Sequence, residues 1–407
     1  MTGAPVAGST PHFSGAASWG VIALMTGIVV LQPTGCAIEP DTAKTDDWLD
    51  TEAAPSLLKS LGADVISPTL VRFDAALSNL DAAVSGWDGT TSAQGDAVDL
   101  AFAEAMLVWE ELELMQVGPA ASSLTSPIGE DLRDEVYSWP SVNPCRVDQV
   151  SVEGGWESAS FFENNLVDAY GLDALEYMLY AGADNACPNQ IDINADGSWD
   201  ALGADGVAVR RAGLARAIVA RVQTTNGALI QAWDPAGDDL GGQLALGTDG
   251  PLGSEAAGIN AVYRGLFYLE SVTKDEKLAH PLGLVDCAAE TCAEDVELPF
   301  SQLSTAAVAA NLRGFRLVFT GGEGVGLDDL LDELGHGDLS VSLLEDVDHA
   351  IVLADALSMP IDAALVDDLD ALVALHEAVR EITDALKGDL ATVLSLDIPD
   401  EAAGDND

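Results

Sequence analysis

The sequence has few basic residues. Its 407 residues include 16 lysines and arginines against 68 aspartates and glutamates, which gives a formal net charge of −52. Such a charge repels phosphate backbones, so nucleic acid is excluded as a partner. The acidic residues are scattered along the chain, which is typical of a solvated surface adapted to high ionic strength. Hydrophobic residues make up 48% of the chain, so a disordered acidic polymer is excluded as well.

The N-terminal apolar run is too short to cross a membrane. WGVIALMTGIVVL, residues 19–31, falls short of the roughly 20 residues that span a bilayer and is typical of a signal-peptide core. LQPTGC follows it and resembles a bacterial lipobox, whose cysteine is acylated after cleavage. We predict that residues 1–35 are a lipoprotein signal peptide, that Cys36 carries the lipid, and that residues 36–55 form a tether. The membrane is then a partner through the lipid anchor.

Cysteine is scarce, and no C-x-x-C pair is present among the five cysteines. This argues against a metal site made of four thiolates. With Cys36 used for the lipid, four cysteines remain and three pairings are possible. We favour the pairing of sequence neighbours, Cys145 with Cys187 and Cys287 with Cys292. Disulfides need an oxidising compartment, which agrees with export from the cytoplasm.

No stretch of the chain has a convincing strand pattern, whereas apolar residues recur at spacings of three and four through most of it. Residues 234–253 are rich in glycine, aspartate and proline, which predicts a connection between two domains. The sequence therefore predicts an all-α fold of two antiparallel, four-helix-type bundles packed side by side. The first bundle covers residues 56–240 and the second residues 250–399.

One predicted helix, GLDALEYMLYAG at residues 171–182, carries two acids three positions apart. Asp173 and Glu176 therefore lie on one helix face and can converge on a cation or a proton. Their neighbours are mostly apolar or aromatic, so the helix is buried and at least one acid needs a partner. The alternatives to a functional site are a structural hydrogen-bond or ion-pair network and plain exposure.

A second acidic stretch, DINADGSWD at residues 192–200, resembles the start of a calcium loop. Asp192, Asn194, Asp196 and Asp200 occupy its first, third, fifth and ninth positions, with a glycine at the sixth. The twelfth position is Gly203, where such a loop has a bidentate glutamate. The stretch predicts either a calcium site or an ordinary loop.

Two further segments resemble known motifs only in part. RLVFTGGEGVG lacks the glycine spacing of a dinucleotide-binding turn. HEAVR has Arg380 where a zinc-binding helix needs its second histidine, so we expect His376 on a helix surface.

Several motifs occur in an order and spacing that resemble the imelysin-like proteins, a family of iron-regulated periplasmic and outer-membrane proteins that includes a reported membrane protease. They are VWEELELMQVGPA, YSWP, GLDALEYMLYAG, DEKLAHPLGL, ELPFSQLSTAAVAANLRGF and GGEGVGLDDLL, and they run over almost the whole mature chain. The resemblance implies a polar site between the two bundles. It adds Glu113, Glu297 and Ser301, polar positions of these motifs, to Asp173 and Glu176 as candidate binding residues.

The family's G-x-H-x-x-E signature has aspartate in place of histidine here, at Asp173. This exchange moves any metal preference from zinc towards calcium, magnesium or ferric iron. The resemblance thus implies an envelope-anchored binding protein for iron or another metal, on the periplasmic face of the outer membrane or at the cell surface. Its ligand is a metal ion, iron or calcium, or a small molecule. A metallopeptidase and a non-catalytic surface lipoprotein remain as alternatives.

Overall fold

The structure, a computed structural model, describes residues 51–90, 96–158 and 160–399. The predicted signal peptide, Cys36 and most of the tether lie outside these residues. Throughout the described ranges the regular elements are helices, without a β-strand. The all-α prediction is therefore confirmed.

The helices of the first half of the described chain end at residue 244. In chain order they are α1 Ala53–Ser60, α2 Ser67–Gly86, α3 Ala97–Leu112, α4 Leu132–Val136, α5 Pro144–Glu153, α6 Phe161–Asn164, α7 Leu172–Tyr180, α8 Asp192–Ala195, α9 Ser198–Trp233 and α10 Leu240–Leu244.

The remaining helices follow a short connection. They are α11 Glu255–Leu266, α12 Ser304–Thr320, α13 Leu327–Glu333, α14 Gly337–Ala356, α15 Ile361–Asp367, α16 Leu369–Ala385 and α17 Ala391–Val393. Wider, π-helical turns occur at Leu61–Ile66, Leu269–Ala279 and Leu386–Leu390.

Proline 68 lies in a helix without ending it. α1, the wide turns at Leu61–Ile66 and α2 follow one another directly, and Pro68 stands in the first turn of α2. The amide of Ser67 bonds back five residues, to the carbonyl of Gly62. The widened turns thus accommodate a residue that has no amide hydrogen to donate.

The core runs through both halves of the chain. α2 packs on α3 and α9, α3 also packs on α12, and α12 and α16 both contact α14. One continuous set of buried apolar side chains extends from Ala53 to Leu396 and includes Phe73 and Trp109, whose rings are tilted by 39° with centroids 5.3 Å apart. Because this core is shared, the division into bundles at 56–240 and 250–399 stays a prediction.

The predicted connection between the halves is itself partly helical. α10 lies within it, and Leu240 and Leu244 of that helix are buried. Gly62 of the wide turns approaches Gly241 so closely that a Cβ on Gly62 would lie 3.0 Å from the Gly241 Cα. The connection is therefore packed against the wide turns that follow α1.

Both predicted disulfides are confirmed. Cys145 at the start of α5 bonds to Cys187, and Cys287 bonds to Cys292. The first of these borders a small separate apolar cluster made of Cys187, Ile193, Trp199 and Val207. The bond therefore fastens the segment around α8 to α5, where few core contacts are available.

In the part of the chain that the structure describes, no single helix is long and apolar enough to cross a membrane. α14 and α15 pass a test of length and composition only when taken together, and they meet at a bend of 80°.

Candidate functional site

Asp173 and Glu176, the two acids of α7, are both buried, and each is held by donors from another segment. α7 begins after Gly171, whose φ of 111° suits glycine and whose Cβ, if present, would lie 2.7 Å from Oδ1 of Asp173. Oδ2 of Asp173 accepts hydrogen bonds from the amide of Ser138 at 3.1 Å and from its hydroxyl at 2.7 Å. Oδ1 accepts from the amide of Ala174 at 2.8 Å.

Glu176 reaches the other half of the chain. Its Oε1 accepts from the amide of Phe300 at 3.2 Å, and from the amide and the hydroxyl of Ser301 at 2.8 and 2.7 Å. Ser301 therefore meets Glu176, and Asp173 is held instead by Ser138. The predicted meeting of residues from both halves occurs at the second acid of the pair.

Burial raises the pKa of both acids. It brings the pKa of Asp173 to about 6, although the hydrogen bonds from Ser138 and Ala174 oppose the shift. It brings the pKa of Glu176 to about 7, with a further rise from the charge of Asp173. Both groups thus exchange protons near neutral pH, because the free-energy cost of removing the charged form from water exceeds the stabilisation by the hydrogen-bond donors.

A buried lysine forms the centre of the site. Nζ of Lys277 lies 2.6 Å from Oε2 of Glu110 and 2.9 Å from Oε2 of Glu297, and all three side chains are completely buried. The hydroxyl of Tyr137 donates to Oε1 of Glu297 at 2.8 Å, and the amide of Asn311 donates to Glu110 at 2.8 Å. These contacts join α3, α12 and the wide turns at Leu269–Ala279.

The protonation of this centre is shifted by burial and by its own charges. Burial and the charge of Glu110 raise the pKa of Glu297 to about 8. The pKa of Lys277 is raised by Glu110 and Glu297 against the effect of burial. The charges of Glu297, Glu110, Asp173 and Glu176 all help to raise the pKa of Tyr137, so this tyrosine lies among the four acids.

Glu113 is the third acid that the family motifs single out, and it is buried beside an arginine. It accepts from Nε1 of Trp109 at 2.6 Å and from Nε2 of Gln116 at 2.7 Å, and it pairs with Nε of Arg133 at 3.1 Å. Burial raises the pKa of Glu113. Arg133 also donates to the carbonyl of Trp139 at 3.3 Å, which ties this loop to α3.

The five predicted binding residues thus lie at or beside one buried centre, but the residues that neutralise them were missed. Lys277, Glu110 and Tyr137 lie within three of the family motifs, DEKLAHPLGL, VWEELELMQVGPA and YSWP, and Arg133 lies just before YSWP. Nothing in these motifs indicated an ion pair between distant segments, and a lysine in a helix is usually exposed. One signal was available for Lys277. The chain has so few basic residues that one within an apolar helical segment is worth examining.

A cleft of about 1060 Å³ opens beside the network. Arg133, Trp139 and Tyr268 line it, so it shares a wall with the buried centre. The wide-turn helix and α11 supply one side, and the connection between Pro119 and Asp131 supplies another. A ligand from solution can approach the site through this cleft.

The acids of the network do not fit a resident metal ion. Both oxygens of Asp173 and one oxygen of Glu176 are already used by protein donors, and Lys277 and Arg133 supply the positive charge for the other acids. Among the described residues, the only group of three ligand atoms close enough for an ion is formed by His280, Cys292 and Asp295. Cys292 is in a disulfide, so its sulfur is not available as a thiolate.

The residues of the calcium-loop prediction are not brought together by the structure. Asp192 and Asn194 lie in the short helix α8, and the Asn194 side chain bonds to Asn185 and to the carbonyl of Cys187. Asp196 accepts from the amide of Ser198 at 2.8 Å, which closes a turn, and Asp200 is exposed in the first turn of α9. Calcium binding here stays a prediction, and this geometry gives it no support.

The structure shows where the two partial motifs, RLVFTGGEGVG and HEAVR, lie. Gly321 and Gly322 have positive φ and form the turn between α12 and α13, where a dinucleotide site would need a preceding strand. The expectation for His376 was wrong, since its side chain is buried in α16 with 5% of its surface exposed. Leu372, His376 and Val379 are spaced four and three positions apart, so the histidine lies on the core-facing side of α16.

The comparisons with known proteins agree with this architecture. The family model described as imelysin (peptidase M75) matches residues 67–389. A solved imelysin-like protein from Psychrobacter arcticum 273-4 is 16% identical, with a TM-score of 0.64 over 86% of this chain and 99% of the other. A putative iron-regulated protein A precursor from Parabacteroides distasonis ATCC 8503 is 15% identical, with a TM-score of 0.60 over 86% of this chain and 95% of the other.

Among curated proteins, none matches the sequence. The two structural likenesses show the fold. Since the family model covers well over half of the chain, in agreement with the order of its motifs, the chain belongs to the imelysin family.

Proposed function

We propose that this protein is an envelope-anchored binding protein that acts in the acquisition of iron or another metal. The observation that carries the proposal is the cleft of about 1060 Å³, which shares Arg133, Trp139 and Tyr268 with the buried charge network. A cleft of this size suits a small ligand. The iron-regulated name of one structural neighbour supports iron as the cargo.

The residues of the site favour ligand binding over peptide hydrolysis. A metallopeptidase needs a metal with an open position and a general base beside it. Asp173 stands where the family signature has histidine, and its two oxygens accept three hydrogen bonds from Ser138 and Ala174. We therefore expect the metal to enter the cleft already bound to ligands of its own. The buried network then holds the wall of the cleft in position.

The location in the envelope is part of the same proposal. Two disulfides indicate folding in an oxidising compartment. The lipobox-like segment before Cys36 supports a lipid anchor, and one acylated cysteine with two or three chains would hold the protein stably on a membrane. Mass spectrometry of the mature N-terminus tests this, with an uncleaved precursor and an unmodified Cys36 as the contradicting result.

Titration calorimetry tests the binding function. The full mature protein is titrated with ferric nitrilotriacetate, calcium and zinc, while hydrolysis of an unfolded protein substrate is followed in parallel. We expect saturable binding of the ferric chelate and no hydrolysis. Absence of binding to all three would overturn the metal-acquisition role, and zinc-dependent hydrolysis that disappears in Asp173→Asn would establish the peptidase instead.

A further inference from the structure

The wall of the cleft differs in charge from the rest of the molecule. The chain has 68 acidic and 16 basic residues, yet the charged residues that line the cleft are two arginines, Arg133 and Arg264, and two aspartates, Asp134 and Asp397. Asp134 is paired with Arg133 at 3.2 Å. A balanced wall in so acidic a protein removes the repulsion that an anion meets elsewhere on the surface.

Arg264 is the cation of this wall that remains available. It is exposed near the end of α11, and its guanidinium forms no ion pair or hydrogen bond with any residue that the structure describes. Arg133, by contrast, is engaged by Glu113, Asp134 and the carbonyl of Trp139. A guanidinium facing a cleft without a carboxylate partner is suited to bind a carboxylate in two-point geometry.

Tyr268 lies in the same wall. It follows Arg264 by four residues, so the two side chains lie on the same face of the helical segment. Only 7% of Tyr268 is exposed, and its hydroxyl oxygen has less than 1 Å² of accessible surface. A ligand in the cleft therefore meets the ring of Tyr268 and not its hydroxyl.

The remaining lining fits the flat body of such a ligand. Trp139 and Phe267 line the cleft with Tyr268, and small residues such as Ala257 and Ala261 leave room beside them. Aromatic side chains present broad apolar faces on which a planar ring can stack. The cleft thus combines a cation with aromatic walls.

We propose that this cleft binds an aromatic carboxylate, with the carboxylate at Arg264 and the ring against Trp139 and Phe267. The inference rests on the proposed function, because it names the chemical class of ligand that the same cleft takes. Ring hydroxyls beside the carboxylate would let this ligand carry a metal, while its recognition requires no metal.

The test uses 2,3-dihydroxybenzoate without metal as the probe and 2,3-dihydroxybenzamide as its uncharged match. Calorimetry on the full mature protein is expected to show binding of the benzoate at least tenfold tighter than of the amide. Arg264→Gln should weaken benzoate binding about tenfold, because it removes a charge-assisted pair, and leave amide binding unchanged.

Arg216→Gln is the matched control, since Arg216 is also exposed and lies away from the cleft. It removes the same charge, so an equal loss of benzoate binding in both arginine variants would overturn the proposal by showing a general charge effect. Equal affinity for benzoate and amide, or no binding of either, would overturn it too.

The two proposals fail separately. If ferric nitrilotriacetate binds wild type and Arg264→Gln equally while the benzoate does not bind, the cleft chemistry is wrong and metal acquisition stands. If the metal-free benzoate binds through Arg264 while no metal or chelate binds, the ligand class stands and the metal role fails.

Discussion

At the scale of single residues, Lys277 decides whether the acids of the site are tolerated. It compensates Glu110 and Glu297 in a region from which water is excluded. Replacing it with methionine would keep the apolar stem and leave two buried carboxylates without their cation. Removal of one partner from a buried pair costs about 3–5 kcal/mol, so we expect Lys277→Met to lose stability of this size.

Urea unfolding followed by circular dichroism measures this loss. Lys59→Met is the control, because Lys59 is exposed on α1 and forms no ion pair with a described residue. Surface substitutions usually change stability by less than about 1 kcal/mol. If the losses for Lys277→Met and the control agree within this margin, the network does not need its lysine.

Glu176 links stability to pH. Its folded-state pKa of about 7 lies above the ordinary value of 4.5, so the folded protein keeps a proton that the unfolded chain has lost. The stability from this difference is complete below pH 4.5 and is lost as pH rises through 7. Since one pKa unit corresponds to about 1.4 kcal/mol, the rise from 4.5 to about 7 corresponds to a loss on the order of 3–4 kcal/mol.

The variant Glu176→Gln removes this titration while its amide oxygen still accepts from Phe300 and Ser301. We expect the stability of the variant relative to wild type to increase between pH 4.5 and 8. Denaturant melts at several pH values measure the difference. The exposed Glu163→Gln should show no such trend, and a flat difference for Glu176→Gln would contradict the raised pKa.

The residue scale also shows where prediction from sequence ends. Asp173, Glu176, Glu113, Glu297 and Ser301 were found because their motifs occur in family order. Their partners were not found, because Lys277 and Ser138 meet them only through the packing of distant segments. A sequence shows which acid is on an apolar helix, and it does not show which donor comes to it.

At the scale of elements, one glycine allows two helices to meet. Gly314 of α12 crosses α3 so closely that a Cβ would lie 2.3 Å from the carbonyl oxygen of Glu111. This contact joins the two halves of the chain at the buried centre. Gly314→Ala must separate the helices, and we expect a loss of about 2–3 kcal/mol or more, with weaker ligand binding in the cleft.

Gly227→Ala is the matched control within a helix. Gly227 is exposed on α9, and a Cβ there would meet nothing within 4 Å. That variant should gain about 0.5–1 kcal/mol, because alanine loses less conformational entropy on folding. Thermal melts of both variants decide the matter, and equal effects of the two substitutions would contradict the close crossing.

Helical spacing predicted most of the long helices, and the irregular parts were the ones it missed. The stretch predicted as a connection at 234–253 contains α10, and the calcium-loop stretch contains α8. Both are single helical turns that depend on tertiary contacts, such as the bonds of Asn194 to Asn185 and Cys187. Periodicity needs several turns before it becomes visible.

At the scale of the whole molecule, the net charge is the dominant feature. Residues 1–35 contain no lysine, arginine, aspartate or glutamate, so removal of a signal peptide would leave the full −52 on the mature chain. Several of the ion pairs, such as those of Arg313 and Arg316, lie at the exposed surface and contribute little there. Repulsion among the surplus carboxylates therefore opposes folding at low ionic strength.

Adding monovalent salt should stabilise the protein, because screening shortens the range of this repulsion from about 30 Å at 0.01 M to about 3 Å at 1 M. We expect the melting midpoint to rise smoothly with sodium chloride over this range. A parallel series with micromolar calcium separates screening from specific binding. Calcium should add nothing at that concentration, because the residues at 192–200 are not arranged around an ion.

Each outcome has a distinct meaning for the molecule. A saturable rise at micromolar calcium, lost in Asp192→Asn, would restore the calcium-loop prediction against the geometry of α8. A midpoint that does not change between 0.01 and 1 M salt, a range over which the screening length falls about tenfold, would show that the acidic surface is not self-repelling. In that case bound cations already neutralise it, and exhaustive dialysis against a chelator should lower the midpoint.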